Sequence, residues 1–121
     1  MKVSQIISLL EAEVQTSANF PDLEIESACG ADLMSDVMAF VKEDVVLLTG
    51  LVNTQTVRTA ALLDIQLIIF VRGKKPTPDM IAEAQESGII LLTTRSGLFL
   101  SCGKLYAAGL CKGSIVEDFH K

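Results

Sequence analysis

Two unbroken apolar runs, Val45-Val46-Leu47-Leu48 and Leu67-Ile68-Ile69-Phe70-Val71, flank a stretch of helical period. A strand with one wet face alternates, whereas runs without alternation suit strands covered on both faces. Between the runs, Val57, Ala60, Ala61 and Asp64 recur at helical spacing, and Leu62 and Leu63 widen the apolar face. Asn53 or Thr54 precedes this stretch as its N-cap, accepting from the first free amides. Gly50 ends the first run, where a sharp turn favours a residue without Cβ. Residues 45–71 therefore read strand, turn, helix, strand. Parallel strands joined this way need a crossover, which is right-handed as a rule.

The rest of the chain repeats the pattern. Val3, Ile6, Ile7, Leu10 and Val14 form one stripe and predict an amphipathic helix over residues 3–15. Leu23 to Ser27 alternates apolar and acidic residues and predicts a strand near a sheet edge. Asp32 is placed to cap a helix carrying Leu33, Val37, Phe40 and Val41, closed by Lys42, Glu43 and Asp44. After Val71, Gly73 and Pro76 stop the strand. Thr77 or Pro78 opens a helix with Asp79 at its positive end and Met80, Ile81 and Ala84 facing inward, ended by Gly88. Ile89 to Leu92 is a further strand. Residues 97–108 form a helix with Leu98, Cys102 and Leu105, Phe99 and Tyr106 on its flank, and Gly109 as its stop. The expected fold is a three-layer α/β/α domain with a mainly parallel sheet of about four to five strands. One domain over residues 1–121 has its core at 23–110 and a partly ordered tail at 111–121, where Ile115 and Val116 make a short apolar patch.

Composition bounds the function. At 121 residues and 50% hydrophobic without Trp, the chain can bury an aliphatic core. Its mean hydropathy of +0.44 points to buried parallel strands and to an oligomer interface. No apolar run approaches the roughly 20 residues of a membrane span. Glu11 and Glu13 come too early for a signal peptide, so a cytoplasmic location is expected. A net charge of −5 argues against nucleic acid as a partner. Cys29, Cys102 and Cys111 show no CxxC spacing and read as reduced, buried thiols rather than disulfides or a zinc site. With His120 the one histidine, a catalytic triad and a multi-histidine metal site are excluded on count. Neither GxGxxG nor GxxxxGK[ST] occurs. No catalytic set, cofactor or metal is expected.

Ligands of open α/β sheets sit beyond the carboxyl ends of the strands. Three such ends are readable: Thr49-Gly50-Leu51-Val52-Asn53-Thr54, Arg72-Gly73-Lys74-Lys75 and Thr93-Thr94-Arg95-Ser96-Gly97. They combine hydroxyls, helix starts and four cations, the means by which phosphate is bound. The candidate anion or nucleotide residues are Gly50, Asn53, Thr54, Arg72, Gly73, Lys74, Thr94, Arg95 and Ser96. The plainer reading of the same cations is solvated turn charge. Asp32 and Asp36, four apart on one helix face with Ser35 between them, are either a cap and a first-turn acid or oxygen ligands for Mg²⁺ in a small metal-dependent enzyme. Cys29 is either a reactive thiol at a turn or a buried structural one.

Cys29 to Val37 (CGADLMSDV), Thr49 to Ala60 (TGLVNTQTVRTA) and Phe70 to Pro76 (FVRGKKP) together resemble the DRTGG domain family, in particular its small stand-alone members. The resemblance spans about Leu23 to Leu110. It implies an accessory or regulatory α/β domain, often dimeric, related to the N-terminal part of HPr kinase/phosphorylase and to domains found between CBS domains in regulated pyrophosphatases. Val52-Asn53 stands where the family has Asp-Arg, and Val71-Arg72-Gly73 where it has Thr-Gly-Gly, so only Gly73 is kept. Kinase activity is not implied, because the chain lacks the P-loop sequence such a kinase needs. Three functions are consistent with these readings: a homodimeric module sensing an adenine nucleotide or phosphorylated metabolite, an interaction subunit docking on a metabolic enzyme, or the metal-dependent enzyme at Asp32 and Asp36.

Overall fold

The computed structural model describes residues 1–38 and 44–113. Its elements, in chain order, are α1 (Val3–Leu10), β1 (Glu13–Val14), β2 (Ser27–Gly30), α2 (Met34–Met38), β3 (Val45–Thr49), α3 (Thr54–Leu62), β4 (Leu67–Phe70), α4 (Pro78–Glu86), β5 (Ile90–Thr93) and α5 (Leu98–Ala107). The sheet runs β1-β5-β4-β3-β2. β2, β3, β4 and β5 are parallel, and β1 pairs antiparallel with β5.

The parallel strands lie side by side in chain order. Right-handed crossovers that always step the same way deliver their helices to one face. Thus α2, α3 and α4 share a face, contributing Val37, Val57, Ala60, Met80 and Ala84 to a core with Val45, Leu47, Ile68, Phe70 and Leu91. The opposite face is covered by α1 and α5, where Val3, Ile6, Leu10 and Leu105 pack on Val46, Leu48, Leu67, Ile69 and Leu92. Strands β3, β4 and β5 are buried at every position, which explains why their sequences do not alternate. The expected three-layer α/β/α architecture is the one observed.

Local signals account for the helix starts. Asn53 caps α3, its Oδ1 accepting from the Thr56 amide at 3.0 Å. Thr77 caps α4 in the same way, accepting from the Met80 amide at 3.3 Å, with Pro78 in the first turn. α1 draws on a distant acid. The Ser4 amide and hydroxyl both donate to Asp22, at 2.9 and 2.7 Å. The Ser4 amide first and its hydroxyl second hold the Asp22 carboxyl below its ordinary value.

Four sequence expectations are corrected. The first helix does not run to residue 15. Glu11 turns left-handed (φ 49°), and Glu13 and Val14 pair with Thr93 and Leu92 of β5. The edge strand lies at Ser27–Gly30, after the alternating Leu23–Ser27 stretch. In that stretch the Ile25 amide donates to the Met1 carbonyl, and the Leu23 carbonyl accepts from the Val3 amide, so it is fastened to the start of α1. Cys29 therefore sits inside a strand. Leu62 does not extend the apolar face of α3: it is 74% exposed, while Thr56 and Thr59 are buried. Asp32 does not cap its own helix, since the Asp36 and Val37 amides go to the Leu33 carbonyl. Phe40, Val41, Lys42 and Glu43, and Ile115, Val116 and His120 of the tail, lie outside the described residues. At the start of the tail, the Lys112 carbonyl accepts from the Ala28 amide, so residues 111–113 run beside β2.

Candidate functional site

The parallel register brings the carboxyl ends of β2 to β5 to one edge: Gly30 stands opposite Leu48, Thr49 opposite Phe70, and Phe70 opposite Thr93. Chains leaving β2, β3 and β4 turn to the α2/α3/α4 face, and the chain leaving β5 turns to the α1/α5 face. The direction changes between β4 and β5, which is where a crevice forms in open α/β sheets. A cleft of about 510 Å³ lies there, lined by Gly73 and Lys75 after β4, by Thr94, Arg95 and Ser96 after β5, and by Glu11 and Glu13 beside β1.

The candidate residues divide into two groups. Gly73, Thr94, Arg95 and Ser96 line the cleft. Gly50, Asn53, Thr54, Arg72 and Lys74 do not. Gly50 and Arg72 belong to a separate cluster built on Asp32. The Gly50 amide donates to Asp32 Oδ1 at 2.7 Å, and the Thr49 hydroxyl donates to the same oxygen at 3.2 Å. The Arg72 guanidinium stands 3.9 Å from Asp32 Oδ2 and lies over Gly50, where an added Cβ would come within 2.4 Å of it. The Gly50 amide and the Thr49 hydroxyl at the β3–α3 turn are thus already engaged by a carboxylate of the chain.

The positive edge read from the sequence is therefore partly neutralised. Asp32 faces Arg72, and Glu13 faces Lys75 at 3.6 Å. Arg95 and Lys74 are exposed and, among the described residues, have no ion-pair partner. Several backbone donors are engaged as well. The Arg72 amide donates to the Ser96 carbonyl at 2.9 Å and the Gly73 amide to the Thr94 carbonyl at 2.8 Å, tying the two loops together. Arg72 and Gly73 both adopt positive φ (60° and 68°), the turn that makes this docking geometry. The Thr94 side chain is buried and its hydroxyl donates to the Leu10 carbonyl at 2.8 Å, while the Thr93 hydroxyl donates to the Lys74 carbonyl. These threonines line the cleft with their hydroxyl protons already engaged, and so tie its walls together.

The helix starts differ in the same sense. Asn53 and Thr77 occupy the first turns of α3 and α4. α5 begins at Gly97 with no side-chain cap among the described residues, which leave its first amides open beside Ser96 and Arg95. The signal for this was present in the sequence: a helix preceded by glycine, with Arg-Ser before it. The acids Glu11 and Glu13 carried no such signal, because their place at the cleft depends on β1 pairing with β5.

Asp32 and Asp36 are the expected pair of oxygen ligands for a metal. Asp32 is engaged as described, and no group of three His, Cys, Asp or Glu side chains able to hold a metal occurs among the described residues. Cys29 is buried, and burial pushes its thiol above the ordinary value, with smaller contributions from Cys102 and Asp36. No helix among the described residues is long and apolar enough to cross a membrane.

No protein-family profile matches the chain, and no curated protein matches it in sequence. Among solved structures, the chain superposes with a TM-score of 0.68 on the CBS and DRTGG domains of the regulatory region of Clostridium perfringens pyrophosphatase, determined with its activator, diadenosine tetraphosphate. Identity is 20% over 85% of this chain, which spans 45% of the other. At that identity the likeness is one of architecture, and the fold of this chain is DRTGG-like.

Proposed function

We propose that this chain is a regulatory module of the DRTGG kind, which binds an adenine nucleotide or phosphorylated metabolite in the cleft between the β4–α4 and β5–α5 loops. The observation that carries the reading is the uncapped start of α5 beside Arg95. Open amides at the positive end of a helix, next to an exposed and unpaired guanidinium, suit a phosphate group. The Lys75–Glu13 pair is about two-thirds exposed on both sides, so it is weak and yields readily to a ligand. The fold likeness adds support, since the pyrophosphatase region was determined with a nucleotide activator. The reading assigns no catalytic step to the chain.

Thermal denaturation in the presence of diadenosine tetraphosphate, ATP, ADP, AMP, acetyl phosphate or inorganic phosphate, with and without Mg²⁺, tests it. A ligand at 100 times its Kd adds about 2.7 kcal/mol, several degrees for a chain of this size. The expected result is a shift with at least one of these ligands that Arg95→Ala abolishes. No shift with any of them contradicts the reading.

A second reading, an interaction subunit or homodimer, has its own support in α5. Phe99 is 91% exposed, with Leu100 and Tyr106 also outward, at 52% and 66%. Exposed apolar side chains grouped on one helix mark contact surfaces. This reading predicts a dimeric mass by light scattering that Phe99→Ser returns to a monomer. A monomeric mass for the unaltered protein removes the homodimer.

A further inference from the structure

The amino-terminal edge of the sheet carries a second concavity, built from none of the strand-end loops. It has a volume of about 360 Å³ and lies where β4 and β5 begin, beside the segment that follows β1. Its apolar part includes buried Ile89 and Ile90 with half-buried Phe20. Its polar part is three exposed carboxamides: Asn19, Gln66 and Gln85. No charged side chain lines it, although 21% of the chain is charged.

That lining is selective. A carboxamide offers a donor and an acceptor in one plane, a match for a heterocycle edge with the same two functions side by side. None of these three carboxamides has a hydrogen-bond partner among the described residues, so all three are available. The nearby Thr16 and Ser17 hydroxyls accept from the Leu91 and Asn19 amides, at 3.3 Å each, and keep their protons to donate. An anion finds no cation here and a cation finds no carboxylate. A wholly apolar molecule would leave the carboxamides covered and unpaired, which binding sites built around polar groups reject. The volume falls within the range of small-molecule pockets, roughly 300 to 1,000 Å³, and an apolar wall with a few convergent polar groups is their usual make-up.

We propose that this neutral pocket binds an uncharged planar heterocycle, a nucleobase or its nucleoside, through the carboxamides of Asn19, Gln66 and Gln85, with the ring against Phe20 and Ile90. The site is independent of the carboxyl-end cleft. The length of β5 separates them, four residues or roughly 13 Å.

The test is an amide-resolved NMR titration of the full chain with adenosine, guanosine, cytidine and uridine, and with inorganic phosphate alone. The expected result is a saturable shift with at least one nucleoside, confined to amides at 16–23, 66 and 85–90, and untouched by phosphate. Gln66→Met and Gln85→Met, both exposed positions, each weaken it at least tenfold while the remaining spectrum is preserved. Absence of shifts with all four nucleosides overturns the proposal. So do shifts centred on residues 73–75 and 94–97, or equal binding by both variants. Phosphate binding at 94–97 reports on the carboxyl-end reading alone, so the two proposals fail separately.

Discussion

Ser101 shows how closely single residues follow from their surroundings. It lies on the inner face of α5, fully buried, and its hydroxyl has no hydrogen-bond partner among the described residues. A buried unpaired hydroxyl costs about 1–3 kcal/mol, and alanine removes that cost without opening much space. Ser101→Ala is expected to raise stability by about 1 kcal/mol, read as a higher denaturant midpoint at unchanged slope; a lower midpoint contradicts this. The thiols make a second case. Burial raises the Cys29 and Cys102 thiols above the ordinary 9.0, while Cys111 is exposed. A group whose folded pKa lies above its unfolded one contributes stability below the unfolded value and loses it as pH climbs through the folded one. Stability should therefore fall as pH rises above about 9, and the fall should lessen in the Cys29→Ala, Cys102→Ala double variant. A disulfide-exchange reagent at pH 8 should modify Cys111 rapidly and the other two slowly. Three equal rates, or a flat alkaline profile, would refute this. Gly50 was legible as a turn residue, but its closeness to Arg72 was not, since that contact requires β3 and β4 to be neighbours.

At the scale of elements, legibility followed the strength of the local signal. β3, α3 and β4 could be read because two-sided burial removes alternation and Asn53 marks the helix start. α4 could be read from Thr77, Pro78 and Gly88. The Asn53 cap carries a plain expectation: Asn53→Ala costs about 1 kcal/mol by denaturant melting. A neutral result would mean that packing of Val57 and Ala60 alone holds the start of α3. β1 and β2 were misread for opposite reasons. β1 has two residues, too few for any period, and exists because β5 offers an unpaired edge. β2 is made of Ser27, Ala28, Cys29 and Gly30, small residues without strand character. They suit a strand that α5 approaches closely, since a Cβ on Gly30 would come within 2.7 Å of Cys102 Sγ. The preceding LEIES stretch carried the better strand pattern and lost to a tertiary arrangement the pattern does not encode.

At the scale of the whole molecule, chain-order strands place three crossover helices on one face and leave the other to α1 and α5. That asymmetry creates the change of direction between β4 and β5, and with it the cleft. The cations of the cleft were legible in the sequence because turns after buried strands are easy to find. The pairing of Lys75 in the cleft with Glu13, and of Arg72 outside it with Asp32, was not, because each acid comes from a segment distant in the chain. Of the nine candidate residues, Gly73, Thr94, Arg95 and Ser96 line the cleft, and the proposed site centres on Arg95, Ser96 and the start of α5. The DRTGG-like architecture, seen in a region determined with diadenosine tetraphosphate, supplies the probe to use. The most direct measurement is hydrogen exchange of the full chain with and without that nucleotide. The account predicts slowed exchange at residues 94–100 and 73–75, absent in Arg95→Ala. Unchanged exchange there at saturating nucleotide, or protection confined to other segments, would contradict it.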